Sequence, residues 1–330
     1  MRMCVVTEDR GPLQMAAPIA QQALKDAWAV EYVTAGVSKG EAQSGYSVPE
    51  SDFIYPADVI AHNRPDVIVV GCSSPISIEQ TFADAAKKYE IPLVILGDIR
   101  GSFKRIQRIE RALVLVADEQ DRQLAVDDGF KTAVVGLREA VPPPISLETA
   151  ELFETIRGDI GRVVHFAASG QPKRIAQELE CVLESSRLTT IPHFISFQPN
   201  QKIISQMHPR GGTWGDWLKR AIDGRADWIA GPCVRYADAT ISPSVSALSA
   251  ACMGKIGIGL RCAAVEDVLA SEPGVIDQLE KYEREYGLPI IREPLDLSPL
   301  LTRRTPVHVK AFDPSLALQS IVSYIHDFSL

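Results

Sequence analysis

The sequence predicts an α/β protein built from two parallel-sheet domains, on three observations. Short β-branched runs alternate with single helical stretches, the pattern of βαβ units. Some of those runs are apolar throughout, as in Val67-Ile68-Val69-Val70, and a strand covered on both faces reads that way. The run Val141-Pro142-Pro143-Pro144 breaks the alternation near the middle of the chain, because proline continues neither a helix nor a central strand. A chain of 330 residues suits two domains of about 150 residues each.

Residues 3–7 read as the first strand and 18–27 as the helix after it, opened by Pro18. The apolar run 66–71 is a strand. Residues 79–89 have helical spacing, with Phe82, Ala83, Ala86 and Tyr89 on one face. Pro92 ends that helix before the strand 93–96. Residues 113–117 and 133–137 are two more strands, separated by a polar helix, 119–127, that stops at Gly129. After the prolines the sequence predicts a helix at 147–157, a strand at 162–167, a helix at 173–185 and a strand at 193–197. A helix at 214–222, short strands at 228–230 and 240–242, a small-residue helix at 246–253 and a strand at 256–260 follow. A charged helix at 275–286 precedes the last one, 315–328, whose Leu316, Leu318, Ile321, Val322, Ile325 and Phe328 fall at helical spacing. The expected organisation is therefore a Rossmann-like domain over 1–144, a second over 145–310, a central cleft, and a terminal helix, 311–330, that packs back on the first domain.

The composition narrows the function. The formal net charge of −8 argues against a nucleic-acid backbone as partner, because phosphate chains are met by basic faces. The N-terminus is apolar for too few residues to act as a signal peptide, and no run approaches the roughly 20 apolar residues of a membrane span, so a cytoplasmic protein is expected. Its six cysteines, Cys4, Cys72, Cys181, Cys233, Cys252 and Cys262, form no CxxC pair. They read as buried thiols of a reducing compartment, with no metal site.

In a parallel sheet, ligands meet the loops at the C-terminal ends of the strands, and helix N-termini there attract anions. The loop 7–14 places Asp9, Arg10 and Gly11 at such an end; Arg10 and Gly11 can meet a phosphate or a sugar, or simply connect. Ser73 and Ser74 follow the 66–71 strand, and their hydroxyls can face a ligand. Ser77 with Gln80 can form a capping box instead. Asp98 and Arg100 follow the 93–96 strand and can serve as an acid/base group and an anion holder, or as a local ion pair. In the second half, Ser169, Gly170, Gln171, Lys173 and Arg174 combine small residues with two cations just inside a helix, as a diphosphate loop does. Ser242, Pro243, Ser244, Val245 and Ser246 make a small-residue turn into a helix; their amides and hydroxyls can hold phosphate oxygens or cap the helix. His208, in His208-Pro209-Arg210-Gly211-Gly212, is a titratable loop residue that can close on a substrate.

The order of these features resembles the GT-B glycosyltransferase superfamily, and within it the UDP-N-acetylglucosamine 2-epimerase branch. Arg10 with Met15-Ala16-Ala17-Pro18 is similar to that branch's opening motif. Arg64-Pro65-Asp66-Val67 matches its Lys-Pro-Asp-Val strand and Glu90-Ile91-Pro92 its Gly-Ile-Pro. Gly254-Lys255 followed by Arg261 matches its Gly-Lys-Pro and later arginine. Gly71-Cys72-Ser73 stands where the branch has His-Gly-Asp, and Leu248 and Ser249 stand where it has two glutamates. The resemblance implies a glycosyltransferase-like enzyme with no resident cofactor or metal. A nucleotide-diphosphate sugar, UDP-linked, is the substrate on the second domain, and an acceptor sits on the first. Asp98 or Asp9 is the expected base, and Arg261 a diphosphate contact. A nucleotide-sugar 2-epimerase or hydrolase and a non-catalytic nucleotide-sugar-binding protein are the alternatives, and a homodimer stays open.

Overall fold

The computed structural model describes residues 1–36, 46–47, 56–73, 78–98, 101–107, 109–141, 150–151, 154, 164–168, 193–197, 203–207, 234–242, 245–261, 278–292, 300–302 and 307–328. The chain divides into two compact units, Met1–Arg138 with Lys310–Leu330, and Glu139–Val309.

The first unit holds β1 (Arg2–Thr7), α1 (Arg10–Lys25), β2 (Ala29–Thr34), β3 (Tyr46–Ser47), α2 (Pro56–Asn63), β4 (Val67–Val70), α3 (Ile78–Lys88), β5 (Leu93–Leu96), β6 (Leu113–Val116), α4 (Glu119–Asp127) and β7 (Lys131–Val134). Its strands form one sheet in the order β3-β2-β1-β4-β5-β6-β7, parallel at every pairing. The strand side chains alternate between two cores, as a period of two requires. Val5, Val69, Leu96 and Leu115 face α1 and the terminal helix Pro314–Phe328. Val6, Val70, Ile95 and Val116 face α2, α3 and α4.

The terminal helix is capped by Asp313, whose carboxylate accepts from the amides of Ser315 (2.9 Å) and Leu316 (3.1 Å). It buries Ala317, Leu318, Ile321, Tyr324 and Ile325. Each large aliphatic side chain buried this way stabilises the packing by roughly 1.5–3 kcal/mol. The chain reaches this helix through Ala311, which bridges Leu137 in parallel beyond β7.

Three differences from the sequence reading concern this unit. First, α1 starts at Arg10, and Pro18 lies inside it. Leu13, Ala16, Ala20 and Ala23 make a continuous buried face along the helix, and that burial outweighs the backbone bond proline forfeits. Arg10 and Gly11 are therefore helical, and the connecting loop shrinks to Glu8 and Asp9. Second, the last strand is Lys131–Val134, starting two residues and ending three before the expected 133–137; Leu137 pairs with Ala311 instead. Third, β2, β3 and α2 have no counterpart in the sequence reading; β2 and α2 carry Glu31, Asp58 and His62 and lack an uninterrupted apolar run.

The second unit holds β8 (Val164–Ala168), β9 (His193–Phe197), β10 (Ile203–Met207), β11 (Ala239–Ser242), α5 (Ser246–Cys252), β12 (Ile256–Leu260), α6 (Gln278–Tyr286) and β13 (Ile290–Ile291). The sheet order is β10-β9-β8-β11-β12-β13. All pairings are parallel except the edge strand β10, which runs antiparallel to β9. Ala247, Leu248, Ala250 and Ala251 bury α5 against β11 and β12. The expected helices at 173–185 and 214–222 and the strand at 228–230 lie outside the described residues.

His165 is fully buried on β8 beside its register partner Thr240, with Nδ1 3.4 Å from the Thr240 hydroxyl. Burial holds its imidazole down at about 3. A histidine whose folded value is depressed binds more protons unfolded, so stability rises with pH. The contribution is fully present above about 6.5 and is lost as pH falls toward 3. A shift of this size corresponds to about 5 kcal/mol. The urea midpoint of the chain is expected to fall steeply between pH 6.5 and 4, and His165→Leu to flatten that slope. An unchanged slope in the variant removes His165 as its source.

Among the described residues, no helix is long and apolar enough to cross a membrane, and no group of three or more His, Cys, Asp or Glu side chains stands ready to hold a metal ion.

Candidate functional site

Because the first sheet is parallel, the loops after β1, β4 and β5 emerge at one edge. Glu8, Asp9, Gly11, Cys72, Ser73 and Asp98 meet there. Asp9 occupies the N-cap position of α1 with an extended backbone (φ −104°, ψ 156°), and its side chain makes no capping bond. Its amide instead donates to the Ser73 hydroxyl at 2.9 Å. Ser73 is buried, and its hydroxyl donates to Glu79 Oε1 at 2.7 Å while its amide donates to Oε2 at 2.7 Å. The Glu8 amide reaches Oε1 at 3.1 Å, and the Glu8 carboxylate accepts from the Ile78 amide at 3.3 Å. The β1–α1 loop and the start of α3 thus grip each other reciprocally. Gly71 leaves the room this needs: a methyl there would overlap Glu79 Oε1 and lie 2.5 Å from Pro12 Cβ.

Asp98 stands half-buried at the end of β5 and accepts from the Ser102 hydroxyl at 3.3 Å. Its other oxygen lies against the first turn of α1, where a Cβ on Gly11 would sit 2.5 Å from Oδ2. Only a residue without a side chain lets the carboxylate rest on that turn. Arg105, on the 3-10 turn Ser102–Arg105, donates to the Cys72 carbonyl at 2.6 Å. The Cys72 thiol is pushed far up, first by burial and then by the negative charges of Asp98 and Glu79; it is no nucleophile.

Glu79 is the feature sequence reading missed. It is fully buried, and its carboxyl is raised to about 7. Burial is the main cause; the bonds from Ser73 and Glu8 oppose it, and the Glu8 charge adds to it. Its signal was available: Glu79, Phe82, Ala83 and Ala86 share the i, i+3, i+4, i+7 stripe, so an acid stands on the apolar face of a helix. Gln80 bonds Gln107 and Asp84; its expected capping-box partner Ser77 lies outside the described residues.

In the second unit, Ser242 ends β11, fully buried, in register with Gly259 of β12. Val245 precedes α5 without a side-chain cap, and Ser246 opens the helix, buried. Arg261 follows β12 at the same edge. Its amide donates to the Ile291 carbonyl at 2.8 Å, and its guanidinium stands 3.7 Å from the carboxylate of Glu280. Lys255 lies at the opposite edge and donates to the Ala237 carbonyl at 2.7 Å.

The structure thus gathers Asp9, Gly11, Ser73 and Asp98 on one edge of the first unit, with Arg10 opening α1 beside them. It places Ser242, Val245, Ser246 and Arg261 along one edge of the second. Ser74, Arg100, Ser169, Gly170, Gln171, Lys173, Arg174, His208, Pro243 and Ser244 lie outside the described residues. A cavity of about 700 Å³ opens at the other edge of the first sheet, lined by Pro65, Asp66, Lys87, Glu110 and Arg111 among others. It is at the N-terminal ends of the strands, away from these acids.

No protein-family model matches the chain, and no curated protein is significantly similar to it in sequence. Solved structures do match its fold. UDP-N-acetylglucosamine 2-epimerase from Rickettsia bellii aligns with 99% of this chain and 96% of its own, at 10% identity and a TM-score of 0.58. A second structure of UDP-N-acetylglucosamine 2-epimerase aligns with 100% of this chain and 97% of its own, at 10% identity and a TM-score of 0.55. MurG from Acinetobacter baumannii aligns with 99% of this chain and 98% of its own, at 12% identity and a TM-score of 0.51. At these identities the likeness establishes architecture alone: the chain has the GT-B fold.

Proposed function

We propose that this chain transfers a sugar from a nucleotide-diphosphate sugar, UDP-linked, to an acceptor hydroxyl, with Asp98 as the base. The observation that carries this reading is the Asp98 carboxylate. It is half-buried at the C-terminal edge of the first sheet, oriented by Ser102, and bedded on the first turn of α1 by Gly11. The acceptor oxygen attacks the anomeric carbon, the bond from that carbon to the diphosphate oxygen breaks, and its electron pair leaves with the diphosphate. The acceptor's proton passes to Asp98. The nucleotide is held at the second unit's edge. There Arg261 supplies a guanidinium for the diphosphate; its ion pair with the largely exposed Glu280 carboxylate is a weak one. The donor is substrate, and no resident cofactor is needed.

A second reading is nucleotide-sugar epimerisation or hydrolysis, the first being the activity named for two of the solved structures that share the fold. The two separate on one experiment. Melting is recorded with UDP and UDP-sugars, then turnover is measured with and without acceptors. A rise in melting temperature, with UDP release only when an acceptor is present, is the expected result. Release or epimer formation without acceptor establishes the second reading instead. Binding with no turnover under either condition makes the chain a nucleotide-sugar-binding protein, and no shift with any nucleotide sinks all three. Arg261→Ala is expected to weaken UDP binding about tenfold, or about 1.4 kcal/mol. Unchanged affinity by calorimetry removes Arg261 from the site.

A further inference from the structure

We infer that Glu79 is the positioning residue of the first unit's site and acts as a proton-operated clasp: ionised, its carboxylate fixes Glu8, Asp9 and Ser73 in one arrangement, and protonation releases the β1–α1 loop. Three donors converge on its two oxygens, the Glu8 amide and Ser73 hydroxyl on Oε1 and the Ser73 amide on Oε2. A carboxylate accepts at both oxygens, whereas a carboxylic acid must donate from one. A proton on Oε2 faces the Ser73 amide, and a proton on Oε1 faces the Glu8 amide and the Ser73 hydroxyl. The first costs the bond from the Ser73 amide; the second forces the Ser73 hydroxyl to accept where it had donated and weakens the bond from the Glu8 amide.

The loss propagates. The Ser73 hydroxyl takes the Asp9 amide as its donor and gives its own hydrogen to Glu79. If it turns to accept from a protonated Glu79, its grip on Asp9 changes. Asp9 is the N-cap residue of α1, and the first turn of α1 supports Asp98 through Gly11. One buried proton therefore reaches both acids of the site. Among the described residues, three charged groups bear on it and its neighbours. Glu8 faces it from the β1–α1 loop, and Asp98 from the end of β5 and Arg105 from the 3-10 turn act on the adjoining Cys72. With the Glu79 carboxyl raised to about 7, the clasp works across neutrality. Neutralising Glu79 also relieves its burial penalty, so the unit stays folded while the loop loosens.

The clasp itself needs no assumption about activity; its effect on acceptor turnover rests on the transferase reading. The test is amide hydrogen exchange of the full chain from pH 5.5 to 8.5, corrected for intrinsic rates, with the Glu79 carboxyl carbon followed by NMR. Protection at Glu8, Asp9 and Ser73 is expected to rise at least tenfold through one transition shared with the Glu79 carbon. Glu79→Gln is expected to abolish the transition and hold protection at the low-pH level, while amides of α4 are unmoved. Ser73→Ala removes a bond that holds the Glu79 carboxyl down, so the midpoint read at Glu8 is expected to move to higher pH. A flat wild-type profile, or the same transition in Glu79→Gln, overturns the clasp. Should Glu79→Gln not fold, an unmoved or lowered midpoint in Ser73→Ala overturns it alone. A working clasp in a chain that binds no nucleotide sugar leaves this inference standing and removes the transferase reading.

Discussion

Gly257→Ala is expected to unfold the second unit's β11–α5–β12 layer. A methyl at residue 257 would overlap the backbone carbonyl oxygen of Ala247, lie 3.0 Å from its carbon and 3.1 Å from the Ala251 Cβ. All three atoms belong to α5, whose buried alanines bring the helix backbone onto β12. The obstruction is main chain, so no rotamer change relieves it. To make room, α5 must lift from the sheet and uncover Ala247, Leu248, Ala250 and Ala251, or β12 must leave its pairing with β11. Overpacking a core costs about 1–3 kcal/mol where side chains can yield; here they cannot, and the expected cost is at or above the top of that range. Amide exchange at Thr240, Ile241 and Ile258 should lose most of its protection, while β4 and β5 in the first unit keep theirs. A variant whose β11 and β12 amides exchange as slowly as the wild type would overturn the close approach of α5 to Gly257.

That close approach bears on what the sequence can reveal. The strands read most accurately, 93–96, 193–197 and 256–260, coincide with β5, β9 and β12. The first two are short β-branched or aromatic runs and the third alternates isoleucine with glycine, and local chemistry suffices to mark them. β2 was not visible, because Glu31 interrupts it; nor was β10, whose antiparallel pairing with β9 is a long-range outcome. The start of α1 is not legible locally, because Pro18 reads as a first-turn residue, while Leu13 and Ala16, buried five residues and two before it, show their role only when the sheet is present. The site divides the same way. Asp9, Gly11, Ser73 and Asp98 could be picked out because a parallel sheet sends its C-terminal loops to one edge. Which way each group turns could not. The Ser73 hydroxyl points inward to Glu79, and the bond from Glu8 to Glu79 spans 71 positions of sequence. A buried acid declares its partner only when strands β1 and β4 are side by side.

Asp98→Asn is expected to lower kcat by a factor of about 10²–10⁴, the usual worth of a general base, which is about 3–5 kcal/mol of activation free energy. The amide is the same shape as the carboxylate and still accepts from Ser102 at Oδ1, so fold and nucleotide affinity should be unchanged. Gly11→Ala probes the same group by position. The atom it meets, 2.5 Å away, is Asp98 Oδ2, the far end of a side chain. Unlike the carbonyl of Ala247 facing Gly257, it can swing aside. Gly11→Ala should therefore leave the melting temperature close to that of the wild type and fall in kcat, by up to about 10² if the carboxylate moves by an ångström. The pair of variants separates charge from placement: Asp98→Asn removes the base where it stands, and Gly11→Ala keeps it and moves it. If Asp98→Asn retains the wild-type rate with a donor and acceptor that the wild type turns over, Asp98 is not the base. Asp9, the next carboxylate along the same edge, then takes the same test, with Asp9→Asn compared at equal nucleotide saturation.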